Sequence, residues 1–457
     1  MKYNSYLALS LLTCFLFACS DGGNKRTENT AINTTAPDEF VGLTGNFSSI
    51  GHGFVIDINY EEDTLALYDV TESSCVFNPE FDVALGLVVE VFDIGRTGGN
   101  NDEFTVTDKS NDRQTTFFER IDNVPATCAN GGTPASTDPE LNFQVFWENF
   151  NEHYAFFNER NIDWAALYEI YRPQVTPDTS QTELFQILSN LAGELEDAHV
   201  TIESSIGQFN AGLTPEFVAA LALANRPEIS TIIESYLDAG ITDGPNGIFR
   251  YGSINGNIGY IQITRFGVPN DTLEDENNYL AVLDSIVEQF QDYAGIIFDV
   301  RNNGGGSDGF AIRIVNRFTD IRRPAYQEHT RNGNGFSPLV SFDLEPEGAI
   351  QFLKPVAVLA GPTSGSSAEN FVLFLQELPQ TTVIGEATNG TLSTRLSKLL
   401  PNGAEITLSN EIQMTPAGIT FEVIGAQPDI EVPSYSEADI NNGRDSALQT
   451  AIDLLSN

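Results

Sequence analysis

The stretch Gly295-Ile-Ile-Phe-Asp-Val-Arg-Asn-Asn-Gly-Gly-Gly306 joins a short apolar run to a polar loop that ends in three glycines. The apolar run is typical of a buried strand, and a helical pattern follows it at residues 310–315. A second apolar run, Pro355-Val-Ala-Val-Leu-Ala360, is followed by the Gly- and Ser-rich residues 361–367. Ligand sites of open α/β sheets lie beyond the carboxyl ends of the strands. These two loops are therefore where we expect the functional site.

The same alternation of strand and helix extends through the C-terminal part of the chain. Ile258–Ile263 and Val383–Gly385 have the pattern of buried strands, and Leu280–Phe290 has that of an amphipathic helix. Repeated βα units predict a mainly parallel sheet covered by helices. We assign residues 256–457 to this α/β core.

Two regions of different pattern precede the core. Residues 38–135 carry short apolar runs between Gly, Asn and Asp, which predicts a small antiparallel sandwich or barrel with one strand at Ala84–Phe92. Residues 136–255 are predicted to be helical, because aromatic residues recur at spacings of three and four and Ser180-Gln-Thr-Glu183 is a capping box. The predicted fold class is an α/β core preceded by a helical subdomain and a small all-β N-terminal domain.

The N-terminus has the features of an export signal. An apolar run at residues 7–17 is too short to span a bilayer. It ends in Leu16-Phe17-Ala18-Cys19, which resembles the lipobox of bacterial lipoproteins. The resemblance implies a signal peptide over residues 1–18, a lipid on Cys19, and a polar tether over residues 19–37. The expected location is the periplasmic face of the bacterial cell envelope, at the outer membrane. An ordinary cleaved signal with an incidental cysteine is the alternative.

The composition restricts the partners and agrees with export. The 457 residues include 22 Lys and Arg and 64 Asp and Glu, so the formal net charge is 22 − 64 = −42, which disfavours nucleic acid and anionic lipid surfaces. With Cys14 in the signal and Cys19 carrying lipid, Cys75 and Cys128 remain and predict one disulfide, with two unpaired buried thiols as the alternative. No CxxC pair or His-rich cluster suggests a metal, and no cofactor is expected.

Four short segments of the C-terminal half form a distinctive set. They are Asp299-Val-Arg-Asn-Asn-Gly-Gly-Gly306, Ser366-Ser-Ala-Glu369, Gly385-Glu-Ala-Thr-Asn-Gly390 and Gly425-Ala-Gln-Pro-Asp-Ile430. Together they resemble the tail-specific (C-terminal processing) protease and tricorn-core family of serine peptidases, in the family's order and over about 130 residues. The resemblance covers the chain from about residue 140 to its C-terminus. It implies cleavage of peptide bonds in a peptide or unfolded protein.

Ser366 occupies the position of the family's nucleophile. The local sequence leaves a second interpretation open, because Ser366-x-x-Glu369 is also a capping box. In the processing-protease branch, a lysine that acts as general base directly follows the Gly385–Gly390 segment. This chain has Thr391 at that position. Lys398 lies seven residues further on, in an expected strand, and is a poor substitute. A Ser/Lys dyad is therefore not expected.

Resemblance to the tricorn-like branch instead implies a Ser/His/Glu arrangement, in which the histidine comes from the helical part of the chain. His199 in Leu195-Glu-Asp-Ala-His199 is similar to that branch's segment, with Ala198 in place of the usual glycine. Glu422 occupies the position of the acidic partner. The resemblance implies that His199 accepts the proton of Ser366 and that Glu422 orients the imidazole.

The residues of the segment Asp299–Gly306 have two expected roles. The resemblance implies that Gly305 or Gly306, together with the Ser367 amide, donates hydrogen bonds to the oxyanion. Asp299 and Arg301 are expected to form a structural ion pair that braces the loop, rather than to react.

A function without catalysis is also compatible with this fold. Retinoid-carrying proteins of the interphotoreceptor type use it, so a ligand- or peptide-binding protein is the alternative to a peptidase. The matching His199 and Glu422 favour the peptidase, since a binding protein that had lost catalysis would not need to keep both residues.

Overall fold

The computed structural model describes residues 36–96, 101–109, 114–269 and 272–456. The predicted signal peptide (1–18), the lipidation site Cys19 and most of the tether lie outside these residues. Among the described helices, none is both long and apolar enough to cross a membrane. The described residues form two compact units. Unit 1 consists of the described residues up to Leu213 with His329–Leu339 and Ser393–Ile412, and unit 2 of Thr214–Glu328, Val340–Leu392 and the described residues from Gln413.

The N-terminal part of unit 1 is one seven-stranded antiparallel sheet. Its strands are β1 (Gly45–Ser49), β2 (Phe54–Asn59), β3 (Thr64–Val70), β4 (Cys75–Val83), β5 (Phe92–Arg96), β6 (Glu103–Asp108) and β7 (Thr115–Arg120). Their order is β4-β3-β2-β1-β7-β6-β5, so β4 and β5 form the two edges. The sequence predicted a sandwich or barrel instead. A second sheet layer is not needed, because the buried residues of this sheet share one hydrophobic core with the helices that follow.

One predicted strand of this region is a helix. Residues 84–92 contain α1 (Leu85–Val91), and β5 begins only at Phe92. The buried side chains of α1 are Leu85, Val88 and Val91. A spacing of three places them on one helical face, whereas a strand would bury alternate residues. The run is apolar throughout, so its composition alone did not distinguish the two periods.

The rest of unit 1 combines helices with a small sheet. The Ser180 side chain and the Glu183 carboxylate form the predicted capping box of the third helix below. Buried side chains of these elements belong to the same core as the seven-stranded sheet, so the predicted boundary at residues 135/136 does not separate compact units. The elements are α2 (Pro139–His153), α3 (Trp164–Tyr171), α4 (Gln181–Gly193), β8 (Thr201–Glu203), β9 (Gln208–Asn210), β19 (Arg395–Leu399) and β20 (Glu405–Ser409). The sheet order is β19-β20-β8-β9.

A disulfide joins Cys75, the first residue of β4, to Cys128. Their Cα atoms are 5.0 Å apart, and the bridge closes a loop with a sequence separation of 53 residues. A cross-link of this length restricts the unfolded chain and so favours the folded sheet.

Unit 2 is built on a seven-stranded mixed sheet. Its strands are β10 (Thr242–Asp243), β11 (Phe249–Ile254), β12 (Ile258–Ile263), β13 (Gly295–Asp299), β17 (Val356–Ala360), β18 (Thr381–Gly385) and β22 (Ile430–Glu431), in that order across the sheet. From β12 to β22 every neighbouring pair is parallel, while β10, β11 and β12 are antiparallel. The mixed α/β architecture predicted for this part of the chain is confirmed.

Helices cover both faces of this sheet. Ile296 and Phe298 of β13 belong to one hydrophobic core and Ile297, between them, to a second, as alternation along a strand requires. The helices Pro215–Ala224 and Pro227–Tyr236 belong to unit 2, although the sequence assigned residues 136–255 to a separate helical subdomain. The boundary predicted at residue 255 is therefore not a boundary between the compact units. The helices are α5 (Pro215–Ala224), α6 (Pro227–Tyr236), α7 (Leu273–Phe290), α8 (Asp308–Val315), α9 (Ser367–Gln376), α10 (Glu437–Asn441) and α11 (Ser446–Leu455).

Four further strands complete the strands among the described residues. Residues of β14 and of β21 are divided between the two units, whereas β15 belongs to unit 1 and β16 to unit 2. The strands are β14 (Arg323–Asn332), β15 (Gly335–Phe336), β16 (Val340–Leu344) and β21 (Glu411–Met414).

A buried arginine holds the end of β13. The Arg301 side chain is fully buried and donates to both carboxylate oxygens of Asp299, at 3.0 and 2.6 Å, and of Asp445, at 2.9 and 2.8 Å. It also donates to the Ser434 carbonyl and lies 4.4 Å from the centroid of the Tyr435 ring. The predicted ion pair with Asp299 is therefore confirmed, and Asp445 extends it to the residue that caps α11.

Replacing Arg301 with Met should lower the free energy of unfolding by about 3–5 kcal/mol, because two carboxylates are left buried without their cation. Arg322→Met is the matched control, since this side chain is 70% exposed and solvent screens its pair with Asp343, so its loss should change stability little. Urea unfolding followed by circular dichroism measures both. Similar losses in the two variants would contradict a special role for the buried pair.

Candidate active site

Ser366 lies at a sharp turn between the loop after β17 and the first residue of α9. Its backbone has φ 54° and ψ −127°, a region that non-glycine residues rarely adopt. Such a conformation costs about 1–3 kcal/mol and persists only where the surrounding structure enforces it. A serine on a strained strand-to-helix turn is the arrangement in which hydrolases expose a nucleophilic hydroxyl.

The glycine loop after β13 lies directly against this turn. Gly305 has φ +108°, and a Cβ atom placed on it would lie 2.6 Å from Cβ of Ser366 and 2.8 Å from the Gly365 carbonyl oxygen. Gly306 has φ +141°, and its Cβ atom would overlap the Phe266 carbonyl. Both positions therefore require glycine. The two loops that the sequence placed at the carboxyl edge of the sheet do meet in the structure.

Asn303 determines the path of the glycine loop. Its side chain is buried, accepts from the Gly305 N–H at 2.9 Å and donates to the Ile263 carbonyl at 3.0 Å. The backbone carbonyl of Asn303 accepts from the Gly365 N–H at 3.0 Å. The Gly305 N–H, one of the expected oxyanion donors, is therefore engaged by Asn303. The amides of Gly306 and Ser367 are the remaining candidates.

Glu369, one turn into α9, connects the nucleophile turn to the segment Gly390–Leu392. Its buried carboxylate accepts from the N–H groups of Ser366 at 3.0 Å, Gly390 at 2.6 Å and Thr391 at 2.9 Å. The Thr388 hydroxyl donates to it at 2.6 Å. Burial raises the pKa of Glu369 to about 7, while these hydrogen bonds act in the opposite direction. The carboxylate half of the predicted capping box is thus present, and it also holds a second loop.

Glu422 binds the other end of the same segment. Its buried carboxylate accepts from the Leu392 N–H at 2.7 Å. The next residue, Val423, has φ 73°, an outlier for a β-branched side chain. The Ser366 N–H donates to the Thr391 carbonyl at 3.1 Å. Glu422 and Ser366 are therefore both bound to Gly390–Leu392.

His199 belongs to unit 1, whereas the residues above belong to unit 2. Its backbone N–H donates to the Asp197 carboxylate at 2.8 Å, and its backbone carbonyl accepts from the Thr407 hydroxyl at 2.6 Å. The backbone of His199 is therefore fixed. The side chain is buried, and its Nδ1 has no hydrogen-bond partner among the described residues. Burial, aided by the positive charge of Arg395, lowers the pKa of His199 to about 4. The imidazole is consequently neutral, the form that a general base needs.

Lys398 is committed to contacts within unit 1. Its ammonium group lies 3.1 Å from the Asp69 carboxylate, donates to the Gly53 carbonyl at 3.0 Å and lies 4.0 Å from the centroid of the Phe54 ring. Burial lowers its pKa. These contacts agree with the inference that Lys398 does not replace the lysine absent at Thr391. No group of three or more His, Cys, Asp or Glu side chains in the described ranges could hold a metal ion.

Comparison with known proteins finds family matches over two parts of the chain. Residues 257–432 match peptidase family S41, and residues 136–193 match the tricorn protease C1 domain. A solved structure from Parabacteroides merdae, assigned as a peptidase, is 30% identical in sequence to this chain and has a TM-score of 0.60. The match covers 70% of this chain and 97% of that chain. The chain belongs to peptidase family S41. The family resemblance inferred from the four motifs is confirmed.

Curated relatives of this S41 chain are proteases. The carboxyl-terminal-processing protease of Synechocystis sp. is 30% identical over 203 residues, which are 43% of this chain and 44% of that protein. The carboxy-terminal processing protease CtpA of Bacillus subtilis is 28% identical over 183 residues, 40% of this chain and 36% of that protein. The matches thus span less than half the length of either relative.

Sequence reasoning gave no role to Asn303 and ascribed only a possible helix cap to Glu369, although both lie in the quoted motifs. Asn303 precedes Gly305 by two residues, the spacing at which an asparagine side chain bonds its own backbone in a turn. Glu369 follows Ser366 by three residues, the spacing of a capping box. These spacings were visible, but their long-range partners were not.

Replacing Gly305 with Ala should displace Ser366, because the new Cβ would lie 2.6 Å from the serine Cβ. A misplacement of about 1 Å can cost about 10²-fold in reactivity, so labelling of Ser366 by a fluorophosphonate probe should fall at least that much. Gly304→Ala is the matched control, since its Cβ meets nothing within 4 Å. It should label within about threefold of wild type. Equal labelling of the two variants would refute the close approach.

Proposed function

We propose that this S41 chain is a serine peptidase that hydrolyses peptide bonds in exported proteins or peptides through an acyl-enzyme on Ser366. One observation carries the proposal: the strained Ser366 turn, with φ 54°, lies against Gly305 at the start of α9. A serine used only as a helix cap needs neither the strained backbone nor the glycine beside it. The protease relatives support the same conclusion.

The proposed reaction has two steps. The Ser366 hydroxyl oxygen attacks the scissile carbonyl carbon while His199 accepts the hydroxyl proton. The Gly306 and Ser367 amides donate to the oxyanion, and His199 returns the proton to the departing amine as the C–N bond breaks. Water then attacks the acyl-enzyme by the same route and releases the carboxylic acid. Glu422 orients the imidazole and stabilises its charged form. That Ser366, His199 and Glu422 act together is part of this proposal.

Export and attachment through Cys19 also belong to the proposal. They rest on the lipobox-like residues 16–19 and on the disulfide between Cys75 and Cys128, which suits an oxidising compartment. The mass of the N-terminal peptide from membrane-purified protein decides this point. An N-terminus at Cys19 with a diacylglycerol supports attachment, and any unmodified N-terminus contradicts it.

Ser366→Ala and His199→Ala should each reduce peptide cleavage by at least about 10⁴-fold, because loss of either member of a nucleophile–base pair removes most of the catalytic effect. The purified chain is incubated with a proteome-derived peptide mixture, and new termini are read by mass spectrometry. His329→Ala is the control, since this half-buried histidine stacks on Phe336 and has no proposed role. Cleavage that survives in His199→Ala but not in Ser366→Ala would assign the base elsewhere.

The pH profile of kcat/KM should report the low pKa of His199. The base acts when deprotonated, so activity should reach half its maximum near pH 4 and be constant above about pH 5.5. An imidazole with the ordinary pKa would give the midpoint near 6.5. Arg395→Gln removes a positive charge that lowers the pKa and should move the midpoint upward. A midpoint near 6.5 that does not respond to Arg395→Gln would contradict the lowered pKa of His199.

A further inference from the structure

A cavity of about 190 Å³ opens in unit 2 beside Asn302, which follows β13, and Gln262, which lies near the carboxyl end of β12. We call it the arginine cavity, because Arg226 and Arg250 line it together with Gln262, Asn302, Ile229 and Ile233. The catalytic proposal uses none of these residues. A liquid water occupies about 30 Å³, so the cavity has room for a carboxylate with part of its aliphatic stem.

The position of the cavity relates it to Ser366. Asn302 is three residues before Gly305, which contacts the nucleophile. Three residues span at most about 10–11 Å, so the cavity wall lies within that distance of the glycine. An extended substrate advances about 3.3 Å per residue. A group bound in the cavity would therefore belong to a substrate residue within about four positions of the scissile bond.

The charge of the lining opposes that of the chain. The chain has 64 acidic and 22 basic residues, yet among the described residues that line the cavity there are two arginines and no Asp or Glu. Arg226 pairs with Glu228 at 2.7 Å and Arg250 with Asp243 at 2.8 Å. The side chains of Glu228 and Asp243 are 50% and 62% exposed, so solvent screens both pairs. Each guanidinium has five N–H donors and can bind a further carboxylate.

Both arginines stand on regular elements. Arg226 is the N-cap residue of α6, where the helix dipole adds positive potential. Arg250 lies in β11 directly opposite Gln262 of β12, whose side-chain oxygen accepts from it at 3.0 Å. Ile229 and Ile233 supply an apolar wall beside these cations. A cationic end next to an apolar wall suits a carboxylate carried on a short aliphatic stem.

We propose that the arginine cavity is a substrate subsite that binds a carboxylate of the peptide, so that the enzyme selects peptides with an acidic group at a fixed distance from the cleaved bond. The carboxylate comes either from an Asp or Glu side chain or from the C-terminus of the peptide. This inference rests on the proposed peptidase function and deepens it, because it names the chemistry that selects the substrate.

Three sets of octapeptide pools test the subsite with the full chain. One set has Glu fixed at each position in turn and an amidated C-terminus, the second has Gln in its place, and the third has Gln with a free C-terminal carboxylate. The best acidic set should be hydrolysed about 10- to 100-fold faster than the Gln amide set, the range expected for one charge-assisted contact. Preference for Glu at one position identifies a side chain, and preference for the third set identifies the chain end.

Arg226→Gln and Arg250→Gln should each bring this rate ratio close to one. Arg322→Gln, which removes an exposed paired arginine of the same unit, should leave it unchanged. Equal hydrolysis of all three sets by the wild type, or a ratio that survives both cavity substitutions, would overturn the subsite.

Binding separates a failed subsite from a failed peptidase. Fluorescein-labelled pools are titrated against Ser366→Ala and against Ser366→Ala/Arg250→Gln, and affinity is measured by anisotropy. An acidic preference present in the first protein and lost in the second supports the subsite even where the wild type cleaves nothing. Equal affinities for acidic and Gln pools would overturn it whatever the hydrolysis result.

Discussion

A fully buried guanidinium at the carboxyl end of β13 holds the candidate site in place. Arg301 is without solvent, so the energy of its charge depends on Asp299 and Asp445 being within hydrogen-bond reach. This condition fixes the position of Arg301, two residues after the end of β13. It thereby fixes the direction in which residues 302–306 leave the sheet. Asn303 then sets the glycine loop, and Gly305 lies against Ser366. The strained serine turn is the last member of a chain of constraints that begins with one cation.

Two buried carboxylates extend this rigidity to a third loop. Glu369 and Glu422 both accept hydrogen bonds from backbone N–H groups of Gly390–Leu392. In the processing-protease branch a lysine stands at the position of Thr391. Here the threonine backbone is held by Glu369 and its carbonyl receives the Ser366 amide. The segment therefore holds the backbone of Ser366 although the residue at its centre has no basic group.

Much of unit 2 could be predicted from the sequence because its signals are local. Ile258–Ile263 is a strand at the predicted bounds, and the glycine and serine loops follow β13 and β17 as expected. Prediction failed where two periods fit one composition, as in Leu85–Val91. It could not find the partners of Asn303 or Glu369, since hydrogen bonds between loops distant in sequence leave no periodic trace. The motif resemblance named Ser366, His199 and Glu422, but compact units are set by three-dimensional packing, and the boundaries drawn by pattern differ from them.

The division of the chain into discontinuous units has a consequence for biosynthesis. In the small sheet of unit 1, β8 pairs with β20, a strand that is slightly more than 200 residues further along the chain. During synthesis the first 213 residues therefore emerge with an unpaired edge at β8 and with Asp69 lacking Lys398. Contacts of such long sequence separation close late and slow folding, and unpaired strand edges invite association. A chain of this topology can complete the core of unit 1 only after most of its length has been delivered.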